Sequence, residues 1–475
     1  MSAVRSILGN TLARGITELI NRVGGALFWI MVARHFGASG LGILAYAMSM
    51  FSLFSTMSTL GLGSVAVRDI ARKKSEAGIY FGQGLKLGLL LSFIFALIMI
   101  LTGLLLHPGA DTRFAIMSMA VAMIPTSGFY WSKSILMAAE KMSWIALARS
   151  WENGFKLAFG LIMIVTGGGI REMVLVLVLS KIVSFVVCFR YAADKVVHPV
   201  WRPVKPLMNY FLKQVPSFSL INLFNSLFWA LPVILITSLH GEAQAGIFSA
   251  AFKLVEMVIA MGLAYGGAFF PVISRYADNP GSRFAELIGK SIKYISIITL
   301  AIAGYTQIIA PQIIGFLYGP DMMQAVPVMK MLVWLVPPFG IIPVIAFSLI
   351  SRNLQRYDLA ANAAGTLALL VLGAALVPVS GAFGMAISLV IAGFVFLAFE
   401  LFGLLHHFYR PVDVLEWLKP VPGLLLIWCV SFILRDYQIW IPMFSSAVLY
   451  VVYLWLSRTI TQPEIIYLKN SIFVR

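Results

Sequence analysis

Apolar stretches of about 20 residues recur from one end of the chain to the other, and residues 85–106 form a typical one. An α-helix of that length spans the roughly 30 Å hydrocarbon core of a bilayer. Because lipid offers no water to backbone N–H and C=O groups, only helices and closed barrels cross it. The stretches are continuously apolar and do not alternate with polar residues as barrel strands do. The chain is therefore predicted to be an all-α membrane protein.

The composition excludes the soluble classes of protein. Charged residues make up 11% of the 475 residues, against roughly 25% in soluble domains. The net charge of +16 is attributed to the basic bias of cytoplasmic membrane loops rather than to nucleic-acid binding. Cys188 and Cys429 lie inside apolar stretches, and the sequence has neither a metal-ligand cluster nor a nucleotide-binding loop. We expect no metal, no cofactor, no nucleic-acid partner and no enzymatic activity.

Fourteen candidate membrane spans are separated by charged connections or by connections containing glycine and proline. They are 8–34, 41–66, 84–106, 113–137, 144–167, 170–191, 210–238, 245–273, 288–314, 325–350, 357–379, 381–405, 414–434 and 438–458. With the N-terminus in the cytoplasm, the basic residues of the outward connections are Arg34, Arg113, Arg171 and Arg435, and the other loop cations lie on the cytoplasmic side. The positive-inside rule then predicts a multi-pass inner-membrane protein with both termini in the cytoplasm.

A weak internal repeat relates the two halves of the chain. Residues match at a spacing of 204: Gly37 with Gly241, Gly42 with Gly246, and Asn21 with Asn225. The connections after the fourth and tenth spans also match, at a spacing near 215. Chance similarity between apolar segments is the alternative, but the preserved order of the matches favours duplication. It predicts two parallel six-helix lobes, 1–205 and 206–408, around a central cavity, with two further helices and a cytoplasmic tail in 409–475.

Nine charged residues within the predicted spans are the candidate site. A charge at bilayer depth costs about 2.5–3.5 kcal/mol on insertion scales and normally faces a polar cavity. Spacings of three or four residues place the charges of the first and fifth spans each on one helical face. The cations are Arg14, Arg22, Arg149, Lys156, Lys181 and Lys253, and the anions are Glu18, Glu152 and Glu256.

The cations outnumber the anions, whereas a purely structural set of ion pairs tends towards neutrality. We therefore predict that the six cations line the cavity and bind an anionic substrate. The three glutamates would tune these cations or carry a coupling proton or sodium ion. The alternative is that Arg14 and Arg149 extend to the cytoplasmic interface while Glu18 and Glu152 pair with neighbouring side chains.

Three segments resemble the Wzx-type polysaccharide flippases of the multidrug/oligosaccharidyl-lipid/polysaccharide exporter superfamily. They read FWIMVARHFGASGLGILAYA at 28–47, LGLGSVAVRDIAR at 60–72 and LYGPDMMQAVPVMKML at 317–332. The resemblance implies transfer of an undecaprenyl-diphosphate-linked oligosaccharide from the cytoplasmic to the periplasmic leaflet. The product would be a surface polysaccharide such as O-antigen (the lipopolysaccharide polymer), capsule or exopolysaccharide, made with other assembly proteins. The resemblance does not identify the glycan.

Three alternatives stay open. A multidrug/toxin antiporter of the same superfamily would export organic cations and would need acidic rather than basic groups at depth. A flippase for the lipid precursor of peptidoglycan also handles a diphosphate. A polymerase or ligase acting on the same carrier would usually have a long periplasmic loop, whereas each predicted outward connection has only a few residues.

Overall fold

The chain is almost entirely α-helical in the part described by the computed structural model. That part comprises residues 2–106, 109–202, 205–277, 282–407, 419–434, 438 and 440–459, and for residues 2–23 and most of 205–219 only the backbone is described. The helices are α1 (Ser2–Thr59), α2 (Leu62–Arg72), α3 (Ala77–Leu106), α4 (Ala110–Val121), α5 (Met123–Ala138), α6 (Met142–Val165), α7 (Ile170–Lys195), α8 (Lys205–Ser274), α9 (Ser282–Tyr318), α10 (Ala325–Leu332), α11 (Val336–Ser351), α12 (Gln355–His407), α13 (Val421–Ile433) and α14 (Trp440–Leu456).

Eight described helical stretches are long and apolar enough to cross a membrane, and α13 and α14 are shorter apolar helices. Large apolar side chains on these helices are widely exposed, for example Phe316 at 78% and Val379 at 80%. Such a surface suits contact with lipid and not with water. The prediction of an all-helical membrane protein is confirmed. The count of fourteen spans and the two-lobe layout stay predictions, and the labels α1 to α14 do not correspond one to one with the spans.

The chain divides into two compact units. Unit 1 comprises Met1–Ala250 with Leu370–Met385, and unit 2 comprises Ala251–Leu369 with Ala386–Arg475. In unit 1, Trp131 of α5 packs in a buried cluster with Phe81 of α3 and Phe211 of α8. In unit 2, Ile292 of α9 and Ile345 of α11 belong to the corresponding buried cluster. The predicted boundaries of the lobes stay predictions.

The second predicted span ends earlier than its apolar sequence suggests. The helix stops at Thr59, because Leu60 and Gly61 both adopt positive φ, whereas the span was predicted to continue to residue 66. The amphipathic helix α2 follows, and its apolar face, including Leu62 and Ile70, packs into the unit 1 core.

Three glycines interrupt helices that are otherwise continuous. Gly37 has φ 66° and ψ −163° within α1, and Gly241 has φ 79° and ψ −178° within α8. Gly381 interrupts α12 with φ 54°. A positive φ strains residues that carry a Cβ, so glycine is favoured at each of these breaks. Gly37 and Gly241 are the pair that the predicted repeat matches at a spacing of 204, and their nearly identical backbone conformations support that match.

Matching turns also end α5 and α11. Glu140 and Asn353 both have φ 59°, and each turn closes with a backbone hydrogen bond that spans six residues, as in a Schellman turn. The two bonds run from Lys141 N–H to Leu136 O at 2.8 Å and from Leu354 N–H to Leu349 O at 2.9 Å. The matching residues are 213 positions apart, close to the predicted spacing near 215.

Within unit 1, residues 38–42 and 242–246 approach each other too closely for side chains. A Cβ atom on Gly42 would lie 1.8 Å from the carbonyl oxygen of Glu242, and one on Gly246 would lie 1.8 Å from that of Ala38. The contact is reciprocal, and the residues that form it are 204 positions apart, the spacing of the predicted repeat. Glycine is the one residue that allows this backbone approach without displacement.

Polar contacts surround this glycine contact. The Thr112 hydroxyl donates to the Glu242 carboxylate at 2.7 Å. The Gln244 amide oxygen accepts the backbone N–H of Ala382 at 3.3 Å, and His240 Nε2 lies 2.7 Å from Val377 O. These contacts connect 370–385 to α8 and account for the inclusion of that segment in unit 1.

We predict that Gly246→Ala lowers the free energy of unfolding by on the order of 1–3 kcal/mol, because the new methyl group overlaps a backbone carbonyl that cannot easily move. The measurement is the thermal unfolding of the detergent-purified protein. Gly25→Ala is the matched control, since Gly25 is also helical but has no heavy atom within 4 Å of the position that its new methyl group would occupy, and alanine favours a helix. Equal melting temperatures for the two variants would contradict the prediction.

Candidate functional site

Helices α6 and α7 bring three of the predicted charged residues together in unit 1. The Glu152 carboxylate accepts a hydrogen bond from Lys181 Nζ at 2.7 Å and lies 3.8 Å from Lys156 Nζ. The side chains of Glu152, Lys156 and Lys181 are 12%, 16% and 19% exposed. Glu152 and Lys156 are one turn apart on α6, whereas Lys181 comes from α7, which packs against α6. The cluster therefore depends on helix packing as well as on sequence spacing.

The neighbours of Glu152 and Lys181 hold the cluster in place. The Ser184 hydroxyl, one turn after Lys181 on α7, is a further hydrogen-bond partner of the Glu152 carboxylate. Lys181 Nζ lies 5.7 Å from the centroid of the buried Phe51 ring of α1, which is within the range of a cation–π interaction. One carboxylate thus faces two ammonium groups, and the cluster carries a net positive charge.

Two more cations of the same unit, Arg149 and Lys133, are charged neighbours of each other. Arg149 is one turn before Glu152 on α6 and is exposed, and it is a charged neighbour of the half-buried Lys133 on α5. Among the side chains that the structure describes, no carboxylate forms an ion pair with Arg149 or Lys133. The positive-inside pattern assigns Lys133 to the cytoplasmic loop cations, although its number falls inside the predicted span 113–137. A lysine inside a predicted span was the sequence signal that could have identified Lys133 as a residue of the site.

The remaining predicted residues do not join this cluster in the described part of the chain. In unit 2, Lys253 Nζ donates to Glu256 at 2.8 Å, and these side chains are 31% and 48% exposed. Exposed pairs of this kind contribute little stability. The backbone of Arg14, Glu18 and Arg22 is helical within α1, but their side chains lie outside the described part, so their place in the site stays a prediction.

Unit 2 contains an apolar cavity of about 240 Å³. Its lining includes Trp334, Pro337, Pro338, Phe394 and Leu401. Of the nine predicted charged residues, none of the six whose side chains are described lines it. The lining residues of the cavity carry no charge and are mostly apolar, so the cationic cluster of unit 1 is the stronger candidate for anion binding.

Solved membrane transporters share this fold. A structure of the lipid II flippase MurJ in an inward closed conformation aligns with a TM-score of 0.80 over 94% of this chain and 99% of that chain, at 15% identity. An inward-facing multidrug resistance MATE family transporter of the MOP superfamily aligns with a TM-score of 0.68 over 81% and 94%, at 16% identity. A MOP superfamily transporter from Pyrococcus furiosus Vc1 (DSM3638) aligns with a TM-score of 0.58 over 83% and 92%, at 15% identity.

These similarities define the class as a polytopic helical membrane protein with the MurJ and MATE fold. The family model described as polysaccharide biosynthesis protein matches residues 7–277, which is more than half of the chain. The protein belongs to that family, and the predicted family resemblance is confirmed. No match is found among curated proteins.

We predict that Glu152→Gln destabilises the protein by on the order of 3 kcal/mol, because it leaves two largely buried ammonium groups without their carboxylate. Thermal unfolding in detergent measures the effect. Glu256→Gln, which alters the exposed pair of unit 2, should change stability by less than about 1 kcal/mol. The double substitution Glu152→Gln with Lys181→Gln should recover part of the loss, and a double variant less stable than Glu152→Gln would contradict the ion-pair account.

Proposed function

We propose that the protein is a non-enzymatic flippase that moves a polyprenyl-diphosphate-linked oligosaccharide from the cytoplasmic to the periplasmic leaflet of the inner membrane. The surplus of cations around Glu152 carries the proposal. Lys156 and Lys181 both face the single Glu152 carboxylate in unit 1, and Arg149, one turn before Glu152 on α6, adds a further cation beside Lys133. Membership of the polysaccharide biosynthesis family supports it.

The chemistry of the carrier explains the need for such a site. A diphosphate with hydrophilic sugars does not enter hydrocarbon, since transfer of a bare charge costs tens of kcal/mol by Born estimates. Ammonium and guanidinium groups would replace its water of hydration, and arginine suits bidentate contacts with phosphate oxygens. The polyprenyl chain would stay in the lipid during transfer.

In this proposal, the lobes 1–205 and 206–408 alternate access to a cavity between them, and 409–475 adds two helices and a cytoplasmic tail. Arg14, Arg22, Arg149, Lys156, Lys181 and Lys253 bind the diphosphate. Glu18, Glu152 and Glu256 tune those cations or carry a coupling ion. Both termini lie in the cytoplasm, as the distribution of basic loop residues predicts.

A second candidate function is the transfer of a peptidoglycan lipid precursor. The TM-score of 0.80 with the lipid II flippase MurJ over nearly the whole chain favours this candidate. Both substrates carry a diphosphate, so the cationic cluster suits either of them. The positive surplus is a less suitable environment for the organic cations that a multidrug antiporter would carry.

We predict that Lys156→Gln, Lys181→Gln and Arg22→Gln each reduce glycan export roughly ten-fold, because each removes a charge-assisted contact with phosphate. Surface glycan is quantified at equal protein level in cells that depend on the variant. Lys290→Gln serves as control, since Lys290 pairs with Glu286 at an exposed position. Unchanged export in all three cavity variants would refute the assignment of the substrate site.

Depletion of the protein separates the two candidate substrates. If the carrier bears a surface-glycan unit, we expect cells to keep their walls and lose surface polysaccharide while the lipid-linked unit accumulates on the cytoplasmic leaflet. Lysis with accumulation of the peptidoglycan precursor would instead support the second candidate. Restoring the protein from a plasmid must reverse the phenotype in either case.

A further inference from the structure

A pair of carboxyl groups lies inside unit 2, apart from every residue assigned to the substrate site. Glu400 of α12 is fully buried at 0% exposure, and Asp358, near the start of the same helix, is half-buried. The two carboxyl groups are in hydrogen-bonding contact with each other. The break at Gly381 allows the two arms of α12 to bring them together.

The contact between the Asp358 and Glu400 carboxyl groups is favourable only if one of them carries a proton. Two ionised carboxylates are both acceptors, and with neither protonated the Glu400 oxygens have no hydrogen-bond partner among the described residues. An ionised, unpartnered carboxylate at 0% exposure would carry a heavy desolvation penalty. A single proton between the two groups turns the contact into a hydrogen bond and removes one of the two charges.

The surroundings indicate which carboxyl holds the proton. Asn362, one turn after Asp358 and 3% exposed, donates its Nδ2 to Asp358 Oδ1 at 3.2 Å and to Asp358 O at 2.9 Å. This donor stabilises Asp358 as the ionised partner, whereas Glu400 receives no donor among the described residues. The Asn362 Oδ1 atom is buried and has no partner there either, so the environment of the pair is rich in acceptors and poor in donors.

Other charged groups nearby are engaged elsewhere. The Arg356 guanidinium lies over the Tyr357 ring, 5.0 Å from its centroid, and Arg352 donates to Ala277 O. On α9, Lys293 lies over the Tyr294 ring and Lys290 pairs with Glu286. Beyond Glu400 on α12, His406 and His407 contact each other, and His407 Nδ1 lies 3.2 Å from Gly403 O. In the described chain, no cation forms an ion pair with either carboxyl.

We propose that Asp358 and Glu400 form a proton-binding site that holds one proton on Glu400 at neutral pH. The group that exchanges is the Glu400 O–H: its proton passes to the Asp358 carboxylate and then to water at the more exposed edge of the pair, leaving a carboxylate behind. Asp358 and Glu400 fall within the predicted spans 357–379 and 381–405, and ionisable groups inside membrane spans commonly belong to such relays. The next step rests on the proposed function: release and rebinding of this proton would couple a proton gradient to transport.

Infrared spectroscopy of the purified full-length protein in nanodiscs tests the proton directly. We expect the carbonyl-stretch band of a protonated carboxylic acid at neutral pH, a downshift of that band in D₂O, its loss in Glu400→Gln and its retention in Glu256→Gln. Asp358→Asn should keep the Glu400 band but move it, because the acceptor becomes an amide; this variant also serves if Glu400→Gln does not fold. The absence of the band in the unaltered protein, or a band indifferent to both substitutions, would overturn the proposal.

Stability and ion dependence provide a second measurement. The melting temperature of the unaltered protein should fall as the pH is raised from acidic to alkaline, because loss of the shared proton leaves two charges in contact. Glu400→Gln, which mimics the protonated form, should melt with less dependence on pH. A sodium site would give a different result: sodium chloride would stabilise the unaltered protein more than potassium chloride does, Glu400→Gln would lose this difference, and the infrared band would be absent. That combination would reject the proton.

Transport in inverted membrane vesicles separates this inference from the proposed function. If both hold, a pH gradient accelerates glycan-lipid transfer in the unaltered protein and not in Glu400→Gln. Transfer that ignores the gradient in the unaltered protein would reject coupling and leave the flippase proposal intact. If no glycan lipid moves in any sample while the Glu400 band is present, the flippase proposal fails and the proton site stands.

Discussion

The hydrocarbon core of a membrane offers no water to a backbone amide, a hydroxyl or a charge, and the rest of the structure depends on that constraint. Helices satisfy their own backbone groups. Buried hydroxyls bond back along their helix, as Ser132 does to Gly128 O at 2.7 Å and Thr299 to Ile295 O at 2.7 Å. A charge cannot be satisfied by the backbone in this way, so a charge that persists at depth needs an oppositely charged partner, a proton or a ligand.

The three kinds of solution occur at different places. Lys181 of α7 finds a partner in Glu152 of α6. Among the described residues, the hydrogen-bonding neighbour of the Glu400 carboxyl is another acid, Asp358, and a proton on one of the two makes that contact favourable. Lys133 and Arg149 have no ion-pair partner among the described side chains, and a ligand phosphate is the partner that we propose for them. The role that we assign to each charged group thus depends both on the partners that it contacts and on those that it lacks among the described residues.

Much of the fold could be predicted from the sequence because apolar length determines a membrane helix almost alone. The glycine match was also visible, since a break with positive φ demands glycine at Gly37 and Gly241 alike. The end of the second span could not be predicted, because Leu60 adopts a positive φ that its residue type does not suggest. The sequence of α2 also follows directly on the apolar sequence of that span. The role of the apolar face of α2 is evident only in the folded protein, where that face packs against the core of unit 1.

The candidate site could be predicted only in part, for a related reason. Spacing along α6 places Glu152 and Lys156 on one face, but the contact with Lys181 depends on how α7 packs against α6. The sequence prediction counted Lys133 among the loop cations, because the sequence alone does not give the depth of its side chain in the membrane. Glu400 lies in an uninterrupted apolar stretch and was recognisable there as an anomaly, but a lone acid has no neighbour in sequence to indicate a site. Its contact with Asp358 requires the helix break at Gly381.

The predicted repeat relates these charged positions to the two halves of the chain. With the turns at Glu140 and Asn353 taken as equivalent, Glu152 and Lys156 of α6 correspond to Gly365 and Leu369 of α12, and the cationic cluster has no counterpart there. Conversely, Asp358 corresponds to Ile145 at the same spacing of 213, and two glycines with positive φ that are 214 positions apart, Gly167 and Gly381, align Glu400 with Val186. Equivalent positions therefore carry charge in one half and apolar or small residues in the other. In the predicted repeat, the sites that we propose for the anion and for the proton therefore occupy positions that are neutral in the opposite half, whereas the glycine breaks at Gly37 and Gly241 and the turns at Glu140 and Asn353 occur in both halves.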